Sequence, residues 1–226
     1  MRRFDNAGAT FTGIEFHPDG RTFLTSSFDA TLARWDLESG EVLQRFEGHT
    51  QLVQDLAISP DGKIVYSASE DGTVRVWEVS NGKLLATYRP LDEYDFLLFA
   101  VAVSPDGSRI LVGAGNFETD YGPEQARIVL MDASTGEILQ ELVGHTTLIN
   151  SIALSSDGRY ALSSSEDQTV RLWEVDTGEQ LAVLTGHTGW VWEVAFSPDG
   201  LTGYSTATDG SFRVWDLREF VGAGGE

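Results

Sequence analysis

Cysteine is absent from this chain of 226 residues. That excludes a disulfide framework, a thiol nucleophile and a thiolate metal site, and leaves packing and hydrogen bonds to hold the fold. The cytoplasm suits such a chain. Positive charge is scarce, since 15 Lys+Arg stand against 35 Asp+Glu for a formal net charge of −20. No basic footprint exists to neutralise a phosphate backbone, so nucleic-acid binding is not expected. Long apolar runs are missing too. No segment reaches the roughly 18 consecutive apolar residues of a membrane span, and MRRFDNAGATFTG has no apolar stretch behind its two arginines. The chain carries no GxxxxGK[ST] phosphate loop, no HExxH pair and no EF-hand loop, so neither a metal nor a cofactor is expected.

What is present is a sizeable apolar fraction, 41% of residues, and a repeat. The turn sequence xDG recurs in FHPDG, ISPDG, VSPDG, LSSDG and FSPDG, with aspartates Asp19, Asp61, Asp106, Asp157 and Asp199 at intervals of 42, 45, 51 and 42 residues. Sixteen positions after the aspartate, four of the five units carry tryptophan: Trp35, Trp77, Trp173 and Trp215. In the third unit Met131 takes that place after an insertion of 9 residues. Each unit reads as an alternating apolar run before the xDG turn (LVQDLAIS, LINSIALS, WVWEVAFS), two short runs split by a tight-turn signal, and a fourth run such as KLLATY. Four strands joined by turns make an antiparallel sheet of roughly 40 residues, which cannot bury both its faces alone and must stack on copies of itself.

With GHT at Gly144 to Thr146, SSDG at Ser156 to Gly158, SEDQTVRLWEV at Ser165 to Val175, and GH again at Gly186 and His187, the sequence resembles the WD-repeat family. The repeats resemble those of the prokaryotic type, and the resemblance spans nearly the whole chain. It implies an all-β fold, a β-propeller of five four-stranded WD-type blades within a single domain, 1–226. The blades fall at about 5–46, 47–88, 89–142, 143–184 and 185–220.

The resemblance also implies a structural hydrogen-bond tetrad in each regular blade. It comprises Trp77, Ser67, His49 and Asp71 in the second, Trp173, Ser163, His145 and Asp167 in the fourth, and Trp215, Ser205, His187 and Asp209 in the fifth. A buried indole, imidazole and carboxylate each need a partner, because an orphaned buried group costs roughly 1–3 kcal/mol. Ser, His and Asp together also suggest a hydrolase triad. A triad occurs once per active site, however, and this set recurs three times, each time with a tryptophan. The first unit keeps Trp35, Thr25 and Asp29 but has Ala7 in place of the histidine. The third has Tyr94, Val112, Asn116 and Met131, and is expected to pack by apolar contacts and to be the least regular. His17, on a turn, is expected to be solvated.

The resemblance further implies a partner-binding face made by the loops entering the first strand of each blade and the turns between the second and third. Its candidate residues are Leu52, Gln54, Glu70, Phe99, Asn150, Glu166, Trp190 and Trp192, with Phe117 and Tyr121 from the insertion Asn116 to Gln125. Aromatics in an acidic setting suit a protein or peptide partner carrying Lys or Arg. Strand alternation predicts that at least one of Trp190 and Trp192 packs as core.

The last unit ends without an outer strand, and residues 1–4 align with the end of such a strand. The fifth blade is therefore expected to be completed by this N-terminal stub or by another chain, which makes a homo-oligomer through incomplete end blades a candidate assembly. Glu15, where other units have Ala57, Ala102, Ala153 and Ala195, marks a wet edge on the first blade, and Gly203 is expected to thin the packing of the fifth. The expected function is a non-catalytic protein-interaction scaffold. The alternatives are a regulatory or sensor module of a larger protein, or a propeller glycosidase using Asp55 and Glu193.

Overall fold

The computed structural model describes residues 4–5, 8–91, 96–116 and 126–221. Ala7, Tyr94, Phe117, Tyr121, the rest of the insertion beyond Asn116 and the first three residues of the stub lie outside them. Among the described residues nineteen strands form five antiparallel sheets, four of four strands and one of three. The chain divides into two compact units, Met1–Val101 and Ala102–Glu226.

In the first unit, one sheet runs in order through β1 (Phe11–Phe16), β2 (Thr22–Ser27), β3 (Thr31–Asp36) and β4 (Val42–Glu47). The next comprises β5 (Val53–Ile58), β6 (Ile64–Ser69), β7 (Val74–Glu78) and β8 (Leu84–Tyr88). The xDG turns set these meanders. Asp61 accepts the Lys63 amide at 3.0 Å and the Ser59 hydroxyl at 2.7 Å, while Gly62 takes a φ of 73°, where a side chain would be strained. Leu24, Leu32 and Phe46 of the first sheet pack on Val53, Leu56, Ile58, Val65, Trp77 and Val79 of the second in a single buried cluster. On the other face of the first sheet, Phe4 stands edge-on to Phe23 at 4.9 Å and Trp35 at 5.9 Å, much as Phe46 stands edge-on to Trp77 at 6.0 Å. His17 is not solvated as expected. Its Nε2 lies 2.8 Å from the Gly62 carbonyl and its side chain is only 13% exposed, because the neighbouring turn offers a backbone acceptor.

The third sheet consists of β9 (Leu97–Val103), β10 (Arg109–Gly115), β11 (Ala126–Asp132) and β12 (Ile138–Val143), and the unit boundary falls within β9. At its tetrad places Val112 and Met131 are fully buried beside their cross-strand partners Val129 and Ile110. The fourth sheet comprises β13 (Ile149–Leu154), β14 (Tyr160–Ser165), β15 (Val170–Glu174) and β16 (Gln180–Leu184). The fifth has only β17 (Val191–Phe196), β18 (Thr202–Ala207) and β19 (Phe212–Asp216). A single helical turn, α1 (Arg218–Val221), follows where an outer strand would run. It was not anticipated from the sequence. Its Phe220 and Val221 pack against the cluster that joins Tyr160, Leu162, Val170 and Leu172 of the fourth sheet to Val191, Val194 and Leu217 of the fifth. Gly203 lies in this contact and does not thin it as expected, since a Cβ there would come within 2.9 Å of Leu162 Cδ1. The glycine admits the leucine.

Candidate functional site

The repeated polar residues meet as relays inside the sheets. In the fourth sheet Trp173 Nε1 donates to Ser163 Oγ at 2.8 Å, Ser163 Oγ lies 2.7 Å from His145 Nε2, and His145 Nδ1 lies 2.8 Å from Asp167 Oδ2. The second sheet repeats this with Trp77, Ser67, His49 and Asp71 at 2.9, 2.7 and 2.8 Å. The fifth does so with Trp215, Ser205, His187 and Asp209 at 2.9, 2.7 and 3.1 Å. A neutral imidazole satisfies every member: the indole donates to the serine, the serine to Nε2, and Nδ1–H to the carboxylate. Ser67, Ser163 and Ser205 are buried, at 0, 0 and 1% exposure, so their oxygens are closed to a substrate. In the first sheet Trp35 still donates to Thr25 at 2.9 Å.

Each aspartate collects more donors than the motif suggests. Asp167 also accepts the Thr146 amide at 3.2 Å, the Thr169 amide at 2.9 Å and the Thr169 hydroxyl at 2.6 Å. Burial alone would raise its pKa, but the His145 and Thr169 bonds outweigh that and hold the carboxyl well below the usual range. His49 and Thr73 do the same for buried Asp71, and the Ser211 hydroxyl and Thr188 amide for Asp209. Burial lowers the pKa of His145. Sequence reasoning missed both this extra hydroxyl, two positions after the aspartate, and a repeated arginine two before the tryptophan. Arg75, Arg171 and Arg213 lie over Gly48, Gly144 and Gly186, the glycines of the GH pairs, and a Cβ on any of these would meet the guanidinium.

Above the relays, backbone bonds tie the loops that enter the first strands to the turns between the second and third. The Glu70 amide donates to the Leu52 carbonyl at 3.0 Å, the Glu166 amide to Leu148 at 3.1 Å, and the Thr208 amide to Trp190 at 2.9 Å. The first strands of the first, second, fourth and fifth sheets each carry a bulge at the same place, and the extra residues are Thr12, Gln54, Asn150 and Trp192. A bulge re-aims the side chain it carries. Thr12 thus reaches the Val53 carbonyl at 2.6 Å, Gln54 bonds Glu70 at 2.6 Å, and Asn150 donates to the Val191 carbonyl at 2.9 Å.

Trp192 makes no such crossing. Both it and Trp190 stand about half exposed, at 49% and 48%, with their rings edge-on at 6.3 Å. The expectation that one of them is core fails because Trp190 precedes the strand and Trp192 occupies the bulge, where two-residue alternation no longer holds. In the same unit Glu166 is half-buried and its carboxyl is pushed up by that burial. Leu52, Gln54, Glu70, Phe99 and Asn150 are all partly buried. Asp55 bonds backbone amides with both its oxygens, Leu56 at 2.8 Å and Val101 at 2.9 Å, and Glu193 accepts the Ser151 hydroxyl at 2.8 Å. Among the described residues no cluster of His, Asp and Glu could hold a metal ion, and no helix is long and apolar enough to cross a membrane.

Repeated four-stranded antiparallel sheets pinned by a Trp–Ser–His–Asp relay define a WD-type repeat protein. The profile of the WD domain, G-beta repeat family matches residues 3–36, 40–78, 136–174 and 178–216, all but the third sheet's repeat, and the chain belongs to that family. It is 28% identical over 164 residues to nuclear distribution protein PAC1 of Arthroderma benhamiae, covering 73% of this chain and 35% of that protein. Nuclear distribution protein PAC1-2 of Uncinocarpus reesii is 35% identical over 164 residues, covering 73% and 36%. The intraflagellar transport protein 122 homolog of Danio rerio is 29% identical over 82 residues, 36% of this chain and 6% of that protein. The chain thus spans about a third of the length of the PAC1-type relatives it matches.

Proposed function

We propose that this chain is a non-catalytic protein-interaction scaffold, and that the Trp190–Trp192 pair engages a Lys- or Arg-bearing segment of a partner protein. The observation that carries this reading is the exposure of the two indoles, 48% and 49%, in a family whose other tryptophans here serve the sheet interior. Aromatic rings take a cation on their faces with about 0.5–1 kcal/mol at exposed sites and about 2 kcal/mol when desolvated. The net charge of −20 supports a basic partner. Shared membership with PAC1-type proteins supports an interaction role. The glycosidase alternative gains little support, because Asp55 is committed to two backbone amides and Glu193 to Ser151.

The test is a titration with a Lys/Arg-rich peptide, followed by tryptophan fluorescence and calorimetry at low and high salt. Binding is expected to weaken with salt and to fall about tenfold in Trp190→Ala, in line with the loss of one aromatic contact. Equal affinity for an acidic peptide of the same length, or an unchanged affinity in Trp190→Ala, would overturn the reading.

A further inference from the structure

Two apolar sheet faces stand open, one on each compact unit. On the first, Ile14 and Phe16 of β1 and Leu37 after β3 are 59%, 61% and 41% exposed. Their repeat equivalents in the second sheet, Leu56, Ile58 and Val79, are buried at 4, 7 and 2%, because Leu24, Leu32 and Phe46 of the preceding sheet lie on them. In the fifth sheet Val194 and Leu217 hold the places of Ile14 and Leu37, and they are buried under Leu162, Val170 and Leu172. On the second unit, Phe212 and Val214 of β19 are each 61% exposed, and the Phe212 ring stacks on Tyr204 at 5.8 Å. The equivalents of Tyr204 and Phe212 are Leu24 and Leu32 in the first sheet and Leu162 and Val170 in the fourth, all at 0%. Each open face is therefore one half of an interface that the chain already makes with both halves present. Exposed contiguous apolar faces of this kind mark association sites.

We propose that a second copy of this chain supplies the missing half. The Tyr204–Phe212–Val214 face of one copy packs on the Ile14–Phe16–Leu37 face of the next, head to tail, and so reproduces the contact that joins the first sheet to the second and the fourth to the fifth. A polar match accompanies the apolar one. Asp55 accepts the amide of Val101 from the following sheet at 2.9 Å. Glu193 holds the position of Asp55 in the fifth sheet and Ile14 that of Val101, so the same carboxylate-to-amide bond forms between copies. The contact is heterologous, with different patches on the two partners, and it leaves one free face of each kind on a dimer.

Phe16→Asp and Phe212→Asp each spoil one half of the contact. Light scattering behind a sizing column is the readout for the wild type, each variant and their equimolar mixture, with far-UV circular dichroism as the folding control. The wild type is expected above the 24.7 kDa of one chain, with mass rising with concentration, and each variant at 24.7 kDa alone. The mixture is expected at twice that mass, because each variant retains the half the other lacks. Leu37→Lys and Val214→Lys provide a second such pair. Trp190→Ala is expected to assemble as the wild type does, which separates this proposal from the peptide site. A wild type that is monomeric at every concentration would overturn it, whether the faces close on one another or await a different partner. So would variants that still assemble, or a mixture that stays monomeric.

Discussion

Replacing Trp173 with alanine lowers the free energy of unfolding by about 3–5 kcal/mol, measured by urea denaturation. The side chain is 1% exposed, so its removal opens a cavity inside the sheet stack that the rigid packing around it cannot collapse. It also removes the indole N–H that donates to Ser163 at 2.8 Å, leaving that buried oxygen short of a partner. Met131, in the same repeat position of the third sheet, is equally buried but belongs to no relay. Met131→Ala is therefore expected near the low end for a buried methionine, about 2 kcal/mol. Equal losses in the two variants would contradict the role given to the relay.

Asp167→Ala costs about 3 kcal/mol at neutral pH, because it removes the acceptor of four donors, of which the imidazole N–H is almost fully buried and left without a partner. The effect depends on pH with a definite sign. The folded-state pKa of Asp167 lies below its unfolded value of about 3.9, so its contribution is complete above that pH and disappears as pH falls through the folded value. The difference between wild type and variant should thus be constant from pH 7 to about 5 and shrink below about 4. His145 adds a slope at milder pH. Burial lowers its pKa in the fold, so the unfolded chain takes up the proton first and stability declines as pH falls below about 6.5. Melting temperatures of both proteins between pH 7 and 3 measure this. A difference that stays the same down to pH 3 would contradict the assignment of Asp167 as the ionised anchor.

The fold was legible because the same residues recur at fixed offsets. A single Asp-Gly or Trp says little, whereas Asp61, Asp157 and Asp199 each followed sixteen positions later by tryptophan constrain where every strand begins. The relays were legible for the same reason. Thr73, Thr169 and Ser211 recur as regularly, but a hydroxyl beside a turn aspartate reads as solvated until the turn is seen folded against the histidine. Arg75, Arg171 and Arg213 look like the wet side of an alternating strand, although their guanidinium groups lie over the glycines of the loop that enters the first strand of the same sheet. Trp192 was misjudged because a bulge is invisible to a period-two reading. Phe16 and Phe212 were legible as apolar, but what covers each of them is a neighbouring sheet, and no local pattern reports whether one is there.

Tryptophan thus serves two ends in this chain: Trp35, Trp77, Trp173 and Trp215 donate inward to a hydroxyl, and Trp190 and Trp192 face solvent. Hydrogen exchange of the six indole N–H groups, followed by NMR after transfer to deuterated water, tests this division in one experiment. Four signals are predicted to decay slowly, with those of Trp77 and Trp173 slowest, and two are predicted to vanish within the first spectrum. Rapid loss of the Trp77 and Trp173 signals, or lasting protection of Trp190 and Trp192, would contradict both the relay and the proposed binding surface.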